Sequence, residues 1–305
     1  MSQEFPTLSQ RKLCAILGIN RSTLWKQQNP VLKEKNGSER GGSEGGQVIA
    51  LEAKKSEALR TGGEAQVVAL MKEVVEERPT WGYRRVWAWL RYHHGLKINK
   101  KRIERLMREH CWQVKAHEST PRPRVSDSVS RTEASDERWA IDMTSAYSQQ
   151  DGWIGITAVI DCHDREIIGL CVSHRGRALE AEQALEQTCL ARYGLVYPRG
   201  EERAQLRSDN GKVFTSKHFQ ACCKQYGLSQ EFITPYTPQQ NGMIERFFRS
   251  LKEECIWQHH FKTFEEAKAA IEAWVSFYNT KRPHQALGYL SPAQLRAAHT
   301  LLHVA

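Results

Sequence analysis

The sequence predicts an α/β domain, a mixed sheet flanked by helices, that is preceded by small all-helical modules. One observation behind this prediction is a change of apolar period near residue 137, from helical spacing to short β-rich runs. The other is the distribution of charge. Residues 1–130 carry 24 Lys and Arg against 14 Asp and Glu, whereas residues 131–305 carry 20 against 21. The basic half is therefore expected to bind a polyanion, and the other half to have a different task.

Length and composition indicate an ordinary globular protein. The 305 residues suggest roughly two domains, and an apolar content of 40% is enough for a sizeable core. The sequence shows neither a signal peptide nor an apolar run of membrane-spanning length, so we expect a cytoplasmic protein. The eight cysteines include no Cys-x-x-Cys pair, which argues against a zinc finger and against a disulfide framework. We expect reduced, mostly buried thiols and no zinc.

Residues 1–35 form the first predicted module. Apolar residues at helical spacing precede Gly18, and Asn20 can cap a second helix, which together give helix-turn-helix spacing. In a DNA-binding interpretation Arg21 lies at the start of the recognition helix, and a plain helical hairpin is the alternative. Residues 36–63 follow as a Gly-rich linker and a helix. The helical patterns are too short for a dimerising coiled coil.

Residues 64–118 form a second predicted module, which is also basic. Two helices are expected on either side of a break at residues 93–95, and Asn99 can cap the second of them. From Arg84 to Arg124 there are 12 basic and 3 acidic residues. We interpret this excess as a surface for a nucleic-acid backbone, although a charge run is more often a solvated helix face. The candidate contact residues are Arg84, Arg85, Lys101, Arg105 and Arg108.

A basic linker at residues 119–135 leads to the predicted α/β domain at residues 136–298, and residues 299–305 form a tail. Short β-rich runs, the first at Trp139–Thr144 and the fourth at Gln205–Ser208, alternate with turn signals and amphipathic stretches. They give the order strand, strand, strand, helix, strand, helix, strand, helix. This is the element order of the ribonuclease-H-like fold, in which a mixed five-stranded sheet is covered by helices.

Three acidic residues of this domain are candidates for one metal site. Asp142 lies on the first predicted strand, Asp209 at the end of the fourth, and Glu245 on the last helix, with 35 residues between Asp209 and Glu245. Carboxylate oxygens suit Mg²⁺, and a pair of such ions supports phosphoryl transfer. Arg249 and Lys252 share a helix face with Glu245 and are candidate phosphate ligands. Taken singly, each acid has an ordinary structural interpretation, so the prediction depends on the joint pattern.

The motifs around these acids resemble those of the retroviral-integrase superfamily of transposases. They are Trp139-Ala-Ile-Asp-Met-Thr144, Ser208-Asp-Asn-Gly211 and Pro238-Gln-Gln-Asn-Gly-Met-Ile-Glu245. Flanking motifs narrow the resemblance to the second-reading-frame protein of bacterial insertion sequences of the IS-three type. These are Pro79-Thr-Trp-Gly-Tyr-Arg-Arg-Val86, Tyr278-Asn-Thr-Lys-Arg-Pro-His284 and Ala286-Leu-Gly-Tyr-Leu-Ser-Pro292.

The resemblance implies a bacterial, nucleoid-associated DNA transposase with an integrase catalytic core. Such an enzyme performs 3′-end cleavage and strand transfer of element-end DNA with Mg²⁺ or Mn²⁺, two ions being held by Asp142, Asp209 and Glu245. Its partners would be double-stranded DNA, both terminal inverted repeats and target, and further copies of the chain. The resemblance also implies an active-site loop, formed by Asn210, Gln239, Gln240, Asn241 and Gly242. We expect the loop Pro235–Gly242, which leads into the helix of Glu245, to be mobile without DNA, so that Glu245 is the ligand expected to be out of place in a DNA-free structure.

Two other functions stay open. In this family the active enzyme is often a frameshift fusion to an upstream-frame protein with a helix-turn-helix and a leucine zipper. This chain alone could then be a DNA-binding regulator that is catalytically idle, and DNA binding without joined products would indicate it. A plain nuclease would hydrolyse DNA without transfer, but the two basic modules argue against it. For the motif at residues 278–284 both packing and DNA contact are open, and we favour packing.

Overall fold

The computed structural model of the protein describes residues 63–114, 132–194, 203–234 and 237–304. These residues form two compact units. One, the helical unit, contains residues 63–114 together with the segment Pro283–Leu290 and residues 298–304, and the other contains the described residues between 132 and 282 together with Ser291–Ala297. The predicted helix-turn-helix at residues 1–35, with Arg21, lies outside the described residues, as does the Gly-rich linker.

The helical unit is built from three helices, α1 (Glu64–Glu77), α2 (Tyr83–Tyr92) and α3 (Lys100–Glu109). The predicted break between α2 and α3 is confirmed, and Gly95 lies within it at a φ of 67°, a left-handed conformation that glycine adopts without steric cost. Asn99 caps α3, because its side chain accepts a hydrogen bond from the backbone N–H of Lys101. The apolar faces of the three helices pack together. Their buried residues include Met71, Val74, Val86, Trp87, Leu90, Ile103, Leu106 and Met107.

The segment Pro283–Leu290 contributes side chains to the core of the helical unit. Tyr289 is buried and its ring packs edge-on against Trp87, with 5.3 Å between ring centres. The Lys100 ammonium lies 4.2 Å from the centre of the Trp87 ring and donates a hydrogen bond of 3.0 Å to the Tyr289 hydroxyl. The apolar residues Leu287, Tyr289 and Leu290 of the motif at residues 286–292 are therefore buried and structural.

The second unit contains a five-stranded mixed sheet, as the sequence predicts. Its strands lie in the order β3-β2-β1-β4-β5, with β1 antiparallel to β2, β2 antiparallel to β3, and β1, β4 and β5 mutually parallel. The strand bounds are Arg138–Ser148 for β1, Gly152–Asp161 for β2, Ile167–Ser173 for β3, Gln205–Ser208 for β4 and Ser229–Phe232 for β5.

Helices cover both faces of this sheet. Residues of α4 (Ala178–Tyr193) and α5 (Lys217–Gln225) share one apolar core with Trp139 and Ile141 of β1. Residues of α6 (Gly242–Glu254) and α7 (Phe264–Thr280) share the other core with Ala140 and Ala146. The alternation of neighbouring β1 residues between the two cores follows from the two-residue period of a strand. A last helix, α8, spans Pro292–Val304.

The motif at residues 278–284 serves packing, as we favoured. Tyr278 is buried between the helices. The Asn279 side chain donates to the carbonyl of Ile167 and accepts from its N–H, so it extends the edge of β3. Arg282 is buried and makes two hydrogen bonds to the carboxylate of Glu254, at 2.6 and 2.9 Å.

Two expectations about side-chain environment can also be compared with the structure. Six of the seven described cysteines are buried and all seven are free thiols, and Cys111 is the exposed one. Burial raises the pKa of Cys189, Cys222 and Cys223 to about 12, so these thiols are protonated at neutral pH. No helix in the described part of the chain is long and apolar enough to cross a membrane.

Candidate active site

Asp142 lies in the middle of β1 and is half-buried. It has the same parity along the strand as Ala140 and Ala146, so it is on the face of the sheet that packs against α6. Its carboxylate accepts a hydrogen bond of 2.7 Å from the backbone N–H of Met143. A central strand thus holds this acid on a rigid framework.

Asp209 directly follows β4, which pairs with β1 in parallel. Because Ala140 is the register partner of Arg207, Asp142 and Asp209 each lie two residues further along neighbouring strands, which are about 4.8 Å apart. The Asp209 carboxylate accepts a 2.9 Å hydrogen bond from the N–H of Gly211. A Cβ atom at residue 211 would lie 2.8 Å from the same carboxylate oxygen. Glycine therefore permits the close turn that orients Asp209.

Glu245 lies in the first turn of α6 and its side chain is exposed. The packing face of this helix is formed by Ile244, Phe247, Phe248 and Leu251, which are buried. Of the two cations predicted beside Glu245, Arg249 is exposed and Lys252 is half-buried. The apolar stripe thus fixes the helix while the acid and both cations stay accessible to a ligand.

The three acids lie close enough to influence one another electrostatically. The pKa of Asp142 is raised to about 6, mainly by burial and also by the negative charges of Asp209 and Glu245. The N–H of Met143 and the charge of Lys252 act in the opposite direction. Asp142 therefore lies near two acids from other elements. At neutral pH the repulsion among the three carboxylates is only partly offset by Lys252 and the N–H of Met143.

The donor chemistry of this position fits a hard divalent cation. Carboxylate oxygens are the ligands that Mg²⁺ and Mn²⁺ take, and a bound cation would relieve the repulsion at Asp142. The described residues contain no group of three or more His, Cys, Asp and Glu side chains already arranged to hold a metal. The acids are thus close enough to interact through charge, but they are not yet converged into a ligand set.

One residue of the predicted active-site loop, Gln240, makes several hydrogen bonds to neighbouring segments. Gln240 lies in a 3-10 turn, Pro238–Asn241, immediately before α6. Its side-chain oxygen accepts a 2.7 Å hydrogen bond from the N–H of Thr234, and its amide donates to the Thr234 hydroxyl at 3.3 Å. Its backbone carbonyl accepts a 2.9 Å hydrogen bond from Arg207. The end of the loop nearest Glu245 is therefore attached to the strands.

The other predicted loop residues have different environments. The Asn210 side chain donates a 2.9 Å hydrogen bond to the carbonyl of Ile233. Gln239 is exposed, Asn241 is buried, and Gly242 is the first residue of α6. Asn210 therefore links the ends of β4 and β5, and both Asn210 and Gln239 are exposed to solvent.

Sequence reasoning missed Arg207, which is 6% exposed on β4. It forms two hydrogen bonds with Glu231 of β5, at 3.1 and 3.0 Å, and Arg138 of β1 approaches the same carboxylate at 3.1 Å. Although partial burial opposes ionisation, the two arginines lower the pKa of Glu231. An arginine inside a four-residue strand, directly before an acid motif, was the available signal.

The predicted DNA-binding residues of the helical unit differ in how fully their charges are matched. Arg105 pairs with Glu64 at 3.0 Å and with Glu109 at 2.8 Å. Arg84 donates to Gln285 at 3.4 Å, and Arg85 is half-buried. Lys101 and Arg108 are exposed and make no ion pair with another described residue. Lys101 and Arg108 are therefore the most available to an anionic partner.

Family models match almost all of the described sequence. An Integrase core domain model matches residues 132–238, and a second Integrase core domain model matches residues 226–292. An HTH-like domain model matches residues 63–119, which include the helices α1, α2 and α3 of the helical unit. The two parts of the chain thus have separate family assignments.

Solved structures that are similar to part of this chain include two integrase catalytic core domains. The catalytic core domain of BIV integrase is 25% identical, covering 55% of this chain and 99% of that one, with a TM-score of 0.40. The HTLV-2 integrase catalytic core domain in complex with magnesium is 16% identical, covering 54% and 99%, with a TM-score of 0.41.

Relatives in sequence come from insertion elements. An uncharacterized protein of insertion element IS407 from Burkholderia multivorans is 28% identical over 298 residues, covering 97% of this chain and 94% of its own length. A protein of insertion element IS476 from Xanthomonas euvesicatoria is 30% identical over 231 residues, or 75% of this chain and 64% of its own. The transposase InsD of insertion element IS2 from Escherichia coli is 28% identical over 238 residues, or 76% and 78%. With its integrase core and HTH-like domains, the chain belongs to the transposases of bacterial insertion sequences.

Proposed function

We propose that this transposase cleaves the 3′ ends of its element and joins them to target DNA at a site formed by Asp142, Asp209 and Glu245. The observation that carries this proposal is the placement of the three acids: Asp142 and Asp209 are two residues beyond a register pair of the parallel strands β1 and β4, and Glu245 lies on α6, which packs on the face of the sheet that bears Asp142. They come from a central strand, the turn after its neighbour and a packed helix, and both Asp209 and Glu245 raise the pKa of Asp142.

The three acids have different tasks in this proposal. Asp142 and Asp209 form the rigid part of the site, because a strand and a glycine turn orient them. Glu245 completes the ligand set when α6 or its side chain adjusts to bound DNA. Two divalent cations, when bound, would activate the attacking hydroxyl and stabilise the leaving oxygen at phosphorus. Arg249 and Lys252 hold the phosphates on either side of the reacting one.

The partners in this proposal are double-stranded DNA and further copies of the chain. The helical unit binds element ends through exposed cations, chiefly Lys101 and Arg108, and Arg84, Arg85 and Arg105 contribute less because other residues already contact them. An upstream-frame protein would add DNA affinity and dimerisation if the element encodes one.

The test is incubation of the full chain with DNA carrying the terminal repeats that flank its coding sequence, a target duplex and Mg²⁺. We expect joined products, which chelator abolishes. Asp142→Asn, Asp209→Asn and Glu245→Gln should each lose at least about 100-fold in joining, because each removes one metal-ligand charge. Glu186→Gln is the matched control, an exposed glutamate on α4 of the same unit. Joining by all three site variants at the rate of this control would refute the proposal.

A further inference from the structure

We propose that Arg207 is a positioning residue that holds the loop at residues 237–241, and through it Glu245, next to Asp209. The inference rests on the proposed function, because it assumes that Glu245 and Asp209 bind the same ions. It adds a residue outside the acid motifs that would set how readily these ions bind.

The side chain of Arg207 is buried. A buried guanidinium must satisfy its five N–H groups with protein acceptors, since each unmet donor costs free energy. Two nitrogens donate to the Glu231 carboxylate, Nε at 3.1 Å and Nη2 at 3.0 Å. The third, Nη1, donates at 2.9 Å to the carbonyl of Gln240. The planar guanidinium thus connects β5 on one side with the active-site loop on the other.

The contacts of Arg207 connect two segments that lie close in sequence to the acids Asp209 and Glu245. Arg207 is two residues before Asp209, so it shares the strand that orients that acid. Gln240 is two residues before α6, and Glu245 follows within the first turn of that helix. One hydrogen bond therefore joins the strand that bears one acid to the turn from which the helix with another acid begins.

The ion pair between Arg207 and Glu231 does not by itself require the contact of Arg207 with Gln240. Glu231 already has a second arginine, Arg138, whose Nε lies 3.1 Å from the same carboxylate. The side chain of Gln240 also bonds Thr234, so two sets of hydrogen bonds act on one loop residue. Because two sets of hydrogen bonds hold Gln240, its position is closely fixed. The contact from Arg207 is the one that comes from β4, the strand that precedes Asp209.

The experiment compares three variants of the full chain by Mn²⁺ binding and by unfolding in chelator. Arg207→Met keeps the length of the side chain and removes every donor, whereas Arg207→Lys keeps the charge but not the planar fork. Arg192→Met is the matched control. The side chain of Arg192, on α4, is 10% exposed against 7% for Arg207, and it also has two carboxylate partners, Asp136 at 3.0 Å and Glu166 at 2.6 Å. Hydrogen exchange of the peptide around residues 234–244 reports on the loop directly.

We expect Arg207→Met to weaken Mn²⁺ binding by about 10-fold or more, the effect typical of residues that orient metal ligands. Its loop amides should exchange faster, and Arg207→Lys should recover part of both. Arg192→Met should lose stability but bind Mn²⁺ as the unaltered chain does. If Arg207→Met does not fold, the lysine variant decides, with weaker binding and faster exchange supporting the inference.

Unchanged Mn²⁺ affinity and loop exchange in a folded Arg207 variant would overturn the inference. This result is distinguishable from failure of the proposed function, because Asp142→Asn would still abolish Mn²⁺ binding. If Asp142→Asn also bound Mn²⁺ normally, the proposed site itself would be wrong.

Discussion

At the scale of single residues, Asp142 shows how a cation site can lower the stability of the protein when no cation is bound. Its carboxylate is half-buried beside two other acids, and its pKa rises from 3.8 to about 6. Such a residue is poorly suited to stability and well suited to binding a cation. The same conflict between local stability and function is common at active sites.

Asp142→Asn should stabilise the metal-free protein, and the gain should depend on pH. Because the pKa is higher in the folded state than in the unfolded state, the folded state binds more protons between about pH 4 and pH 6. The unaltered protein therefore loses stability as pH rises through this window, and the amide does not. Above pH 6 the difference approaches at most about 3 kcal/mol. Urea unfolding in chelator at pH 4.5 and pH 7.5 measures it, and equal pH dependence of the two proteins would contradict this assignment.

At the scale of elements, the catalytic unit depends on a close approach between α4 and β3. Gly169 of β3 lies against α4 where a Cβ atom would overlap the carbonyl oxygen of Ala184 and the hydroxyl of Thr188. The Thr188 hydroxyl already donates to that carbonyl at 2.8 Å. The helix can reach this position only because residue 169 has no side chain.

Gly169→Ala should therefore destabilise the protein by about 1–3 kcal/mol, the usual cost of overpacking. Gly82→Ala is the control, since nothing lies within 4 Å of a Cβ atom there, and it should change stability by less than about 0.5 kcal/mol. Urea unfolding of the two variants decides. A Gly169 variant as stable as the control would mean that α4 does not pack on β3 as described.

The elements also show what the sequence can and cannot predict. The strand Gln205–Ser208 was predicted with its observed bounds, whereas β1 was expected to end near Thr144 and continues to Ser148. Residues 145–148 are mostly polar, and they are extended because they pair with Gly152–Gly155 of β2. Pairing with a neighbour overrode local preference.

The candidate site divides in the same way. The three acids could be found because each lies in a short motif on a recognisable element. The contact of Arg207 with Gln240 could not, since it joins residues 33 apart in sequence with no periodic pattern between them. Charge matching in the helical unit was equally hidden, because the glutamate that meets Arg105 from α1 is 41 residues away. Residue identity predicts chemistry, but partners across the fold need the structure.

At the scale of the whole molecule, charge separates the two tasks. The chain carries a net charge of +9, and the excess lies before residue 131. Basic residues bind DNA mainly by displacing counterions from phosphates, so their contribution appears in the salt dependence of binding. The described part of this basic region is the helical unit, in which Lys101 and Arg108 are among the exposed cations that make no ion pair with a described residue.

Replacing Lys101 or Arg108 by Ala should weaken binding of the full chain to duplex DNA. Each change should also reduce the slope of log affinity against log salt by about 1. Arg105→Ala should have a smaller effect, because Glu64 and Glu109 already neutralise that charge. Lys72→Ala, on α1 and paired with Glu76 at 3.6 Å, is the control. Slopes that stay at the value of this control for both Lys101 and Arg108 would remove this surface from the DNA-binding account.

The most direct test of the central claim, that acids from three elements form one catalytic metal site, is the joining of element-end DNA by the Glu245→Gln variant. Glu245 is the acid whose position depends on a helix rather than on the sheet. The account expects a folded protein that binds element ends normally in Mg²⁺ but yields no joined product, while Glu186→Gln joins at the rate of the unaltered chain. Joined product from Glu245→Gln at that same rate would contradict it.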